Sequence, residues 1–385
     1  MEQRILYVTT NNDISKKNGG GLATLAYYNA VSNLYPEKVD LMHMPIFDDN
    51  HPFKGKCIEI TPQRNKIKIL ISILSGRFYM YNFIKSFLSE YSKNYNLCII
   101  NGGVYAGSVI KLFKDKGIKV VVIHHNYERN FHLENKTINS LKGLYPFQII
   151  RNERNAYLNA DLNLFLTNQD ILKFKDTYGE CNGKVALLGC FDPYDTSLPH
   201  ITTLPHDPAL VISGSMDIYQ TVDGIIDFYN NYYQSLNNIY PEMKIIITGR
   251  NPSESIMQIG HKNADKIKII PNPENILDIV KKGSVFCCPT KLGGGIKLRI
   301  MDGLRLGMPV IVHERSARGY DAFFQKPYFK VYHDKNTFRN GMSELVQLIK
   351  SNEIDRNKIQ QDYLDYFSFS AGMVRMKDAL SLINF

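Results

Sequence analysis

A glycine-rich turn between two apolar runs constrains the fold of this chain more than any other feature. The apolar run Val285–Cys288 ends at a proline and is typical of a buried strand. The glycines from Gly293 to Gly295 then begin a pattern that predicts a helix over 296–306. Gly307 can end that helix, and a second apolar run follows. The order of strand, glycine loop, helix and strand is typical of α/β proteins with parallel sheets.

The same turn carries residues suited to binding an anion. Backbone N–H groups at the start of a helix lack partners within the helix, and glycines let an anion approach them closely. Lys297 and Arg299 add cations in the expected first turn, where they oppose the helix dipole unless an anion is bound. Asp302 is placed to accept hydrogen bonds from a polar group such as a ribose. We expect a nucleotide diphosphate pocket, although an ordinary turn with an Arg299–Asp302 pair fits the spacing equally well.

Apolar runs alternate with helical patterns along both halves of the chain, which predicts two parallel sheets with right-handed crossovers. In the first half, the predicted strands are Ile5–Thr9, Val39–Met44, Leu97–Asn101, Val120–His124, Leu162–Leu166 and Val185–Leu188. In the second half, they are Leu210–Ser213, Lys244–Thr248, Ile267–Ile270, Val285–Cys288, Val310–His313 and Phe329–Tyr332. Residues 192–208 lack periodicity and are rich in proline, threonine and histidine, which predicts a linker.

Composition excludes several classes of protein. The chain has 385 residues, which favours two or three domains, and a formal net charge of +9 that suits an anionic partner. It has no recognisable nucleic-acid-binding motif, so we expect no nucleic acid. Its six cysteines form no CxxC or Cys/His set, so neither zinc nor a disulfide framework is expected. The chain enters a strand at Ile5 and lacks a long apolar run, so we expect a cytoplasmic protein without a signal peptide.

Several motifs, in a fixed order, resemble those of GT-B glycosyltransferases of the retaining GT4 family (glycosyl transferases group 1). The glycine-rich turn is similar to the nucleotide signature of that family, which also has counterparts of the following segments: Asn18-Gly19-Gly20-Gly21, His125-Asn126-Tyr127-Glu128, Ser213-Gly214-Ser215-Met216-Asp217, Ile245 to Pro252 and Phe367-Ser368-Phe369. The resemblance covers nearly the whole chain. It implies two Rossmann-like domains facing a central cleft, residues 1–195 and 205–368, with a helix at 369–385 that crosses back to the first domain.

The resemblance also implies roles for individual residues. The catalytic candidates are His125, Arg250 and Lys297. The candidates for binding the donor are Gly20, Gly21, Ser215, Gly294, Gly295, Ile296, Arg299 and Asp302, and those for the acceptor are His124 and Glu128. The chain departs from the family pattern at two positions. Gly294 stands where the family often has a second glutamate, and the region around Met216 lacks the usual cations, which leaves Lys291 as a further candidate.

The implied activity is transfer of a sugar from a UDP-sugar or GDP-sugar to a surface-glycan or lipid-linked acceptor, with retention and without a metal. The Asp48-Asp49 pair lacks further ligands for a metal. Residues 62–88 carry five cations among apolar residues and no acidic residue, which is typical of a stretch that lies on an anionic membrane surface. A core-facing pair of helices fits the same pattern. A nucleotide-sugar epimerase of the same fold and a non-catalytic sugar-nucleotide-binding subunit stay open as alternatives.

Overall fold

The computed structural model describes residues 4–9, 19–45, 55–61, 65, 67, 71, 72, 74–78, 80–129, 145–195, 197–200 and 208–385. Asn18, the Asp48-Asp49 pair, Lys66, Lys68 and residues 196 and 201–207 of the predicted linker lie outside these residues. The chain divides into two compact units: residues 1–195 with 368–385, and residues 196–367. The last helical segment therefore belongs to the first unit.

The described residues of the first unit form a parallel sheet of seven strands in the order β3-β2-β1-β4-β5-β6-β7. The strands are β1 (Ile5–Thr9), β2 (Val39–His43), β3 (Cys57–Glu59), β4 (Leu97–Asn101), β5 (Lys119–His124), β6 (Leu162–Phe165) and β7 (Lys184–Leu187). The helices of this unit are α1 (Gly19–Leu34), α2 (Tyr81–Tyr91), α3 (Gly103–Lys114), α4 (Tyr145–Asn159), α5 (Asn168–Tyr178) and, at the end of the chain, α13 (Phe369–Ser381).

The second unit repeats this architecture with a six-stranded parallel sheet in the order β10-β9-β8-β11-β12-β13. Its strands are β8 (Ala209–Ser213), β9 (Lys244–Gly249), β10 (Ile267–Pro271), β11 (Val285–Cys288), β12 (Val310–His313) and β13 (Phe329–Tyr332). Its helices are α6 (Tyr219–Phe228), α7 (Gln234–Ile239), α8 (Glu254–Lys262), α9 (Ile276–Val280), α10 (Arg299–Arg305), α11 (Lys335–Lys350) and α12 (Arg356–Phe367). The prediction of two Rossmann-like sheets is therefore confirmed.

The central strands are buried on both faces, which explains why they read as continuous apolar runs. All five residues of β1, β4 and β8 are buried, with helices packed on each face of the sheet. In the second unit, α10 packs on β11 so closely that a Cβ added to Gly303 would lie 2.7 Å from the ring of Phe286. In the first unit, α13 packs against α1, and Lys119 Nζ donates to the carbonyl of Ile383 over 2.7 Å.

Two predicted helix starts differ from the structure, and one short strand is not predicted. The helix expected over 296–306 begins at Arg299, so Lys297 precedes it. The motif Asn18-Gly19-Gly20-Gly21 predicts a glycine loop before a helix, but the described part of α1 already starts at Gly19, so Gly20 and Gly21 are helical. The short edge strand β3 escapes prediction because its three residues are exposed or half-buried and lack apolar alternation.

The stretch 62–88 divides into a core part and an exposed part. Phe78, Ile84 and Leu88 are buried in the core of the first unit, which supports the reading of α2 as an ordinary helix. Ile67 and Leu74, however, are 69% and 66% exposed. None of the helices in the described residues is both long enough and apolar enough to span a membrane.

Candidate functional site

The carboxyl ends of β8 and β11 lie side by side in the second unit, where the strand order changes direction. Open α/β sheets bind ligands at this edge, beside such a switch point. The chain leaves β8 through Gly214 and leaves β9 at Gly249, and the two turns meet. A Cβ added to Gly249 would lie 1.6 Å from the carbonyl oxygen of Gly214, so only glycine fits there. The Met216 N–H donates to the carbonyl of Arg250 over 2.7 Å, which brings Ser215 and Arg250 into neighbouring turns.

The glycine loop of residues 293–295 presents backbone donors at this edge. Gly293 and Gly295 have φ angles of +84° and +69°, a region that side-chain-bearing residues rarely adopt. The backbone N–H groups of Gly294, Gly295 and Ile296 donate no hydrogen bond to any of the described residues. Gly293 and Gly295 are buried, and Gly294 and Ile296 are half-buried. Successive unpaired N–H groups in such a turn form a concave site suited to an anion.

Helix α6 fixes the position of this loop. A Cβ added to Gly293 would lie 2.4 Å from the side-chain amide of Gln220, so the helix and the loop are in close contact. Two turns further along α6, Asp227 accepts a hydrogen bond from Lys291 Nζ at 2.6 Å. This ion pair raises the pKa of Lys291. Lys291, a candidate from the sequence, therefore forms an ion pair with α6 at the start of the loop.

Two cations follow the loop, and they differ in their contacts. Lys297 is only 8% exposed, and its Nζ donates to the carbonyl of Gly294 over 3.2 Å. Burial of a lysine is costly unless its charge meets acceptors, and the carbonyl of Gly294 is one such acceptor. Arg299 is half-buried, and its guanidinium donates to the carbonyl of Ser213 over 3.1 Å and to Thr221 Oγ1 over 3.2 Å. Arg299 thus ties the start of α10 to the end of β8.

The remaining donor candidates of the second unit lie around the same edge. Asp302 is half-buried on α10, Ser215 is half-buried in the turn after β8, and Arg250 is exposed after β9. The structure thus brings together the glycine loop, Lys297, Arg299 and Asp302 as one loop and helix.

In the first unit, the candidate His125 follows β5 at the carboxyl edge of the sheet. Its Nε2 forms a hydrogen bond with Asn101 Oδ1 at the end of β4. The edge of the Tyr27 ring packs against the imidazole, with 5.8 Å between ring centroids. The loss of hydration lowers the pKa of His125 to about 4, although the charge of Glu128 acts in the opposite direction. His125 is half-buried and neutral at physiological pH.

His124 has the contacts of a buried packing residue. It is 1% exposed, its ring stacks on Phe165 with 4.7 Å between centroids, and its Nε2 forms a 2.9 Å hydrogen bond with Asn163 Oδ1. Burial lowers the pKa of His124 to about 4. Gly103 closes the other side, where a Cβ would lie 2.4 Å from Nδ1. These contacts do not favour a role in acceptor binding.

A buried carboxyl group, which the sequence does not predict, holds the turn of Glu128 in place. Glu153 on α4 is 1% exposed, and its Oε2 accepts a hydrogen bond from the Glu128 N–H over 2.6 Å. The Tyr178 hydroxyl donates to its Oε1 over 2.7 Å. Burial raises the pKa of Glu153 to about 7. Glu153 thus holds the turn that carries Glu128, whose own side chain accepts a 3.3 Å hydrogen bond from Asn126.

The described residues include no group of three or more His, Cys, Asp or Glu side chains that could hold a metal ion. Asn126 and Glu128 contribute polar atoms beside His125, and the buried Glu153 carboxyl group binds the backbone of the same turn.

Comparison with known proteins identifies the architecture. No protein-family model and no curated protein matches the chain. Solved structures do match over nearly the full length. Sucrose-phosphate synthase from Thermosynechococcus elongatus superposes with a TM-score of 0.69 at 13% identity, covering 99% of this chain and 98% of that one. HepE from Anabaena in complex with UDP superposes with a TM-score of 0.69 at 11% identity, covering 98% and 100%. The chain has the GT-B fold.

A third GT-B structure, the lipopolysaccharide outer core galactosyltransferase WaaB, superposes with a TM-score of 0.66 at 12% identity and covers 98% of this chain and 99% of that one. The predicted fold class is therefore confirmed, as is the resemblance to GT-B proteins. At such low sequence identity, the likeness to the solved structures establishes the fold and not the chemistry.

Proposed function

We propose that the chain is a glycosyltransferase that moves a sugar from a nucleotide diphosphate sugar, with retention and without a metal ion. The observation that carries the proposal is the glycine loop of residues 293–295, whose N–H groups have no acceptor among the described residues, beside the 8%-exposed Lys297. This arrangement suits a diphosphate. UDP and UDP-glucose are bound in HepE structures of similar fold, which supports a UDP-sugar as the first donor to test.

The proposed chemistry places the negative charge of the leaving group at this loop. The bond between the anomeric carbon and the diphosphate oxygen breaks, and its electron pair stays on the diphosphate. Lys297 and the loop N–H groups stabilise that charge, a role that preorganised donors perform well in sites shielded from water. The acceptor hydroxyl forms the new bond on the same face, and its proton passes to the departing diphosphate.

The other candidates take supporting roles in this proposal. Asp302 binds the ribose, Arg250 and Arg299 add positive charge around the diphosphate, and Ser215 lines the donor site. His125 contacts the transferred sugar, and Glu128 binds an acceptor hydroxyl. Arg299 acts partly through the main chain of β8, because two of its donors are already used by Ser213 and Thr221.

The acceptor is proposed to be a surface glycan or a lipid-linked sugar presented at an anionic membrane. Three exposed apolar residues, Ile67, Ile71 and Leu74, precede the turn at Gly76, and Phe147 on α4 is 74% exposed. That turn packs on α4, since the Asn152 side chain donates to the carbonyl of Gly76 over 3.3 Å. The exposed cations Arg77 and Arg151 flank it. Exposed apolar side chains ringed by cations suit the interface of an anionic bilayer.

Vesicle binding tests this membrane surface. The wild type should co-sediment with phosphatidylserine vesicles at low salt and dissociate at high salt, because each cation near the surface contributes about 1 kcal/mol and is screened by salt. Replacing both Ile71 and Leu74 by aspartate should abolish binding. Leu172→Asp is the matched control, since Leu172 is 60% exposed on α5. Equal binding by all three proteins would contradict the membrane proposal and favour a soluble acceptor.

An activity assay tests the proposed function itself. The protein is incubated with UDP-glucose, UDP-galactose or GDP-mannose and a crude glycolipid fraction, and release of the nucleoside diphosphate is measured with and without excess EDTA. We expect acceptor-dependent release that persists in EDTA. Loss of turnover in EDTA that Mn²⁺ restores would contradict the metal-free mechanism.

The same assay separates the alternatives. An altered sugar formed from donor alone would identify an epimerase. Donor binding without turnover in any acceptor fraction would identify a non-catalytic subunit.

A further inference from the structure

A chain of hydrogen bonds in the first unit ends on His125. The Thr24 hydroxyl donates to the carbonyl of Gly20 over 2.9 Å, one turn back on α1. Asn101 Nδ2 then donates to Thr24 Oγ1 over 2.9 Å, and Asn101 Oδ1 meets His125 Nε2. Asn101 is 5% exposed and stands at the end of β4, which lies between β1 and β5 in the sheet.

This chain of bonds determines which way the Asn101 amide points. A hydroxyl has one hydrogen, and that of Thr24 is directed to the carbonyl of Gly20. Thr24 Oγ1 therefore receives a hydrogen bond from Asn101, which must turn its NH₂ group toward Thr24. The carbonyl oxygen of Asn101 is then left to face His125. An amide oxygen can only accept, so His125 Nε2 carries the hydrogen.

We propose that Asn101 is a positioning residue that holds His125 in the Nε2–H tautomer, so that Nδ1 accepts a hydrogen bond from a hydroxyl of the transferred sugar. Among the described residues, none donates a hydrogen bond to Nδ1 of His125. A neutral imidazole has one donor nitrogen and one acceptor nitrogen, and the second is set by the partner of the first. The inference rests on the proposed function, since it specifies how His125 would contact the sugar.

The surroundings of His125 keep the ring neutral, as an acceptor nitrogen requires. Burial lowers its pKa to about 4. The titratable and charged groups near the ring and its neighbours are His124 before it, Glu128 after it, Glu153 against the Glu128 turn, Tyr27 on α1, and Cys190 and Arg375 around the Tyr27 hydroxyl. The only one of these whose charge acts to protonate His125 is Glu128, and burial outweighs it.

Replacing Asn101 by aspartate tests the proposal. A carboxylate facing Nε2–H should raise the pKa of His125 by about 1–3 units, as an opposite charge at contact distance does. Nδ1 then becomes protonated at higher pH and can no longer accept. We expect the acid limb of the pH profile of kcat/KM to move upward by the same interval. In ¹⁵N–¹H correlation spectra of histidine-labelled protein at a pH of about 5, His125 should appear as the Nε2–H tautomer in the wild type and mainly as imidazolium in Asn101→Asp.

Two further variants protect the test against misfolding and nonspecific effects. Thr24→Val is nearly isosteric and removes the partner of the Asn101 amide, so it should yield a mixture of His125 tautomers. Asn163→Asp makes the same chemical change beside His124 and should leave the His125 tautomer unchanged. An unchanged His125 tautomer in both Asn101→Asp and Thr24→Val would overturn the proposal.

The spectra and the kinetics separate this inference from the proposed function. If His125→Ala turns over UDP-sugar at the full rate, His125 takes no part in the reaction, even if the spectra confirm its tautomer. An acid limb that stays in place although the His125 pKa has risen in the spectra would refute the role of Nδ1 as an acceptor for the sugar.

Discussion

At the scale of single residues, Lys297 and Glu153 are two charged side chains whose burial needs a physical reason. Lys297 is 8% exposed beside the glycine loop, and Glu153 is 1% exposed beneath the turn of Glu128. A buried cation is stabilised by nearby acceptors, including a bound anion, whereas a buried carboxyl group without a cation partner tends to hold its proton. A substitution of Lys297 should therefore change ligand binding, and a substitution of Glu153 should change stability.

Lys297→Met should weaken the binding of UDP by about 10–100-fold, because a hydrogen bond to a charged group is worth about 1.5–3 kcal/mol. Binding of uridine, which lacks the diphosphate, should change little. Calorimetric titration of both ligands measures the two effects. Lys268→Met, which removes an exposed lysine from β10, is the control and should match the wild type. Equal losses for UDP and uridine in Lys297→Met would refute the assignment to the diphosphate.

Glu153→Gln should change how stability depends on pH. Burial raises the pKa of Glu153 from its ordinary value of 4.5 to about 7, so the folded state binds more protons than the unfolded state between those values. This contribution to stability is full below pH 4.5 and is lost as the pH rises to 7. The variant lacks this loss because glutamine does not titrate. Between pH 4.5 and 7, the free energy of unfolding of the variant, relative to that of the wild type, should therefore rise by about 3 kcal/mol.

Urea unfolding at a series of pH values measures this difference. His124 and His125 act in the opposite direction, since a pKa lowered from 6.5 to about 4 costs stability as the pH falls through that range. Both proteins share these histidines, so their contribution cancels in the comparison. A difference between variant and wild type that stays constant with pH would contradict the buried, protonated state of Glu153.

At the scale of elements, the sequence predicted the sheets well and the contacts between elements poorly. Continuous runs such as Val285–Cys288 indicate strands buried on both faces, and the structure confirms them. The helix predicted over 296–306 starts three residues later, at Arg299, because Gly293 and Gly295 have positive φ angles and form a loop before it. The sequence does not reveal the roles of Asn101 and Glu153, because each contacts a turn that is distant in the chain. Asn101 is 24 residues from His125, and Glu153 is 25 residues from Glu128. No local pattern records such a contact.

The glycine loop offers a test of its own. Gly293→Ala places a side chain at φ +84°, which should cost about 1–2 kcal/mol of stability, and its Cβ meets Gln220. Gly117 makes a matched control, since its φ is +74° and a Cβ there would have nothing within 4 Å. Both variants should lose stability in urea unfolding, Gly293→Ala by at least as much as Gly117→Ala because of the contact with Gln220, but only Gly293→Ala should also weaken UDP binding. Normal UDP binding by a folded Gly293→Ala protein would place the diphosphate elsewhere.

At the scale of the whole molecule, two units of the same architecture divide the proposed work between them. The second unit holds the loop and the cations proposed for the donor, and the first unit holds His125, Glu128 and the exposed apolar residues before Gly76. The fold alone does not decide the chemistry, since one fold can serve different activities through different side chains. The central claim is therefore the diphosphate site, and it can be tested without knowing the sugar or the acceptor.

Calorimetric titration of the full chain with UDP, GDP, ADP and the matching nucleosides tests this claim most directly. The account predicts that one nucleoside diphosphate binds with a stoichiometry of one, and that its nucleoside binds at least about 10-fold more weakly, as expected when charge-assisted hydrogen bonds to the diphosphate are lost. Adding that diphosphate at 100 times its dissociation constant should stabilise the protein by about 2.7 kcal/mol. Absence of binding by all three diphosphates, or equal affinity for a diphosphate and its nucleoside, would contradict the account.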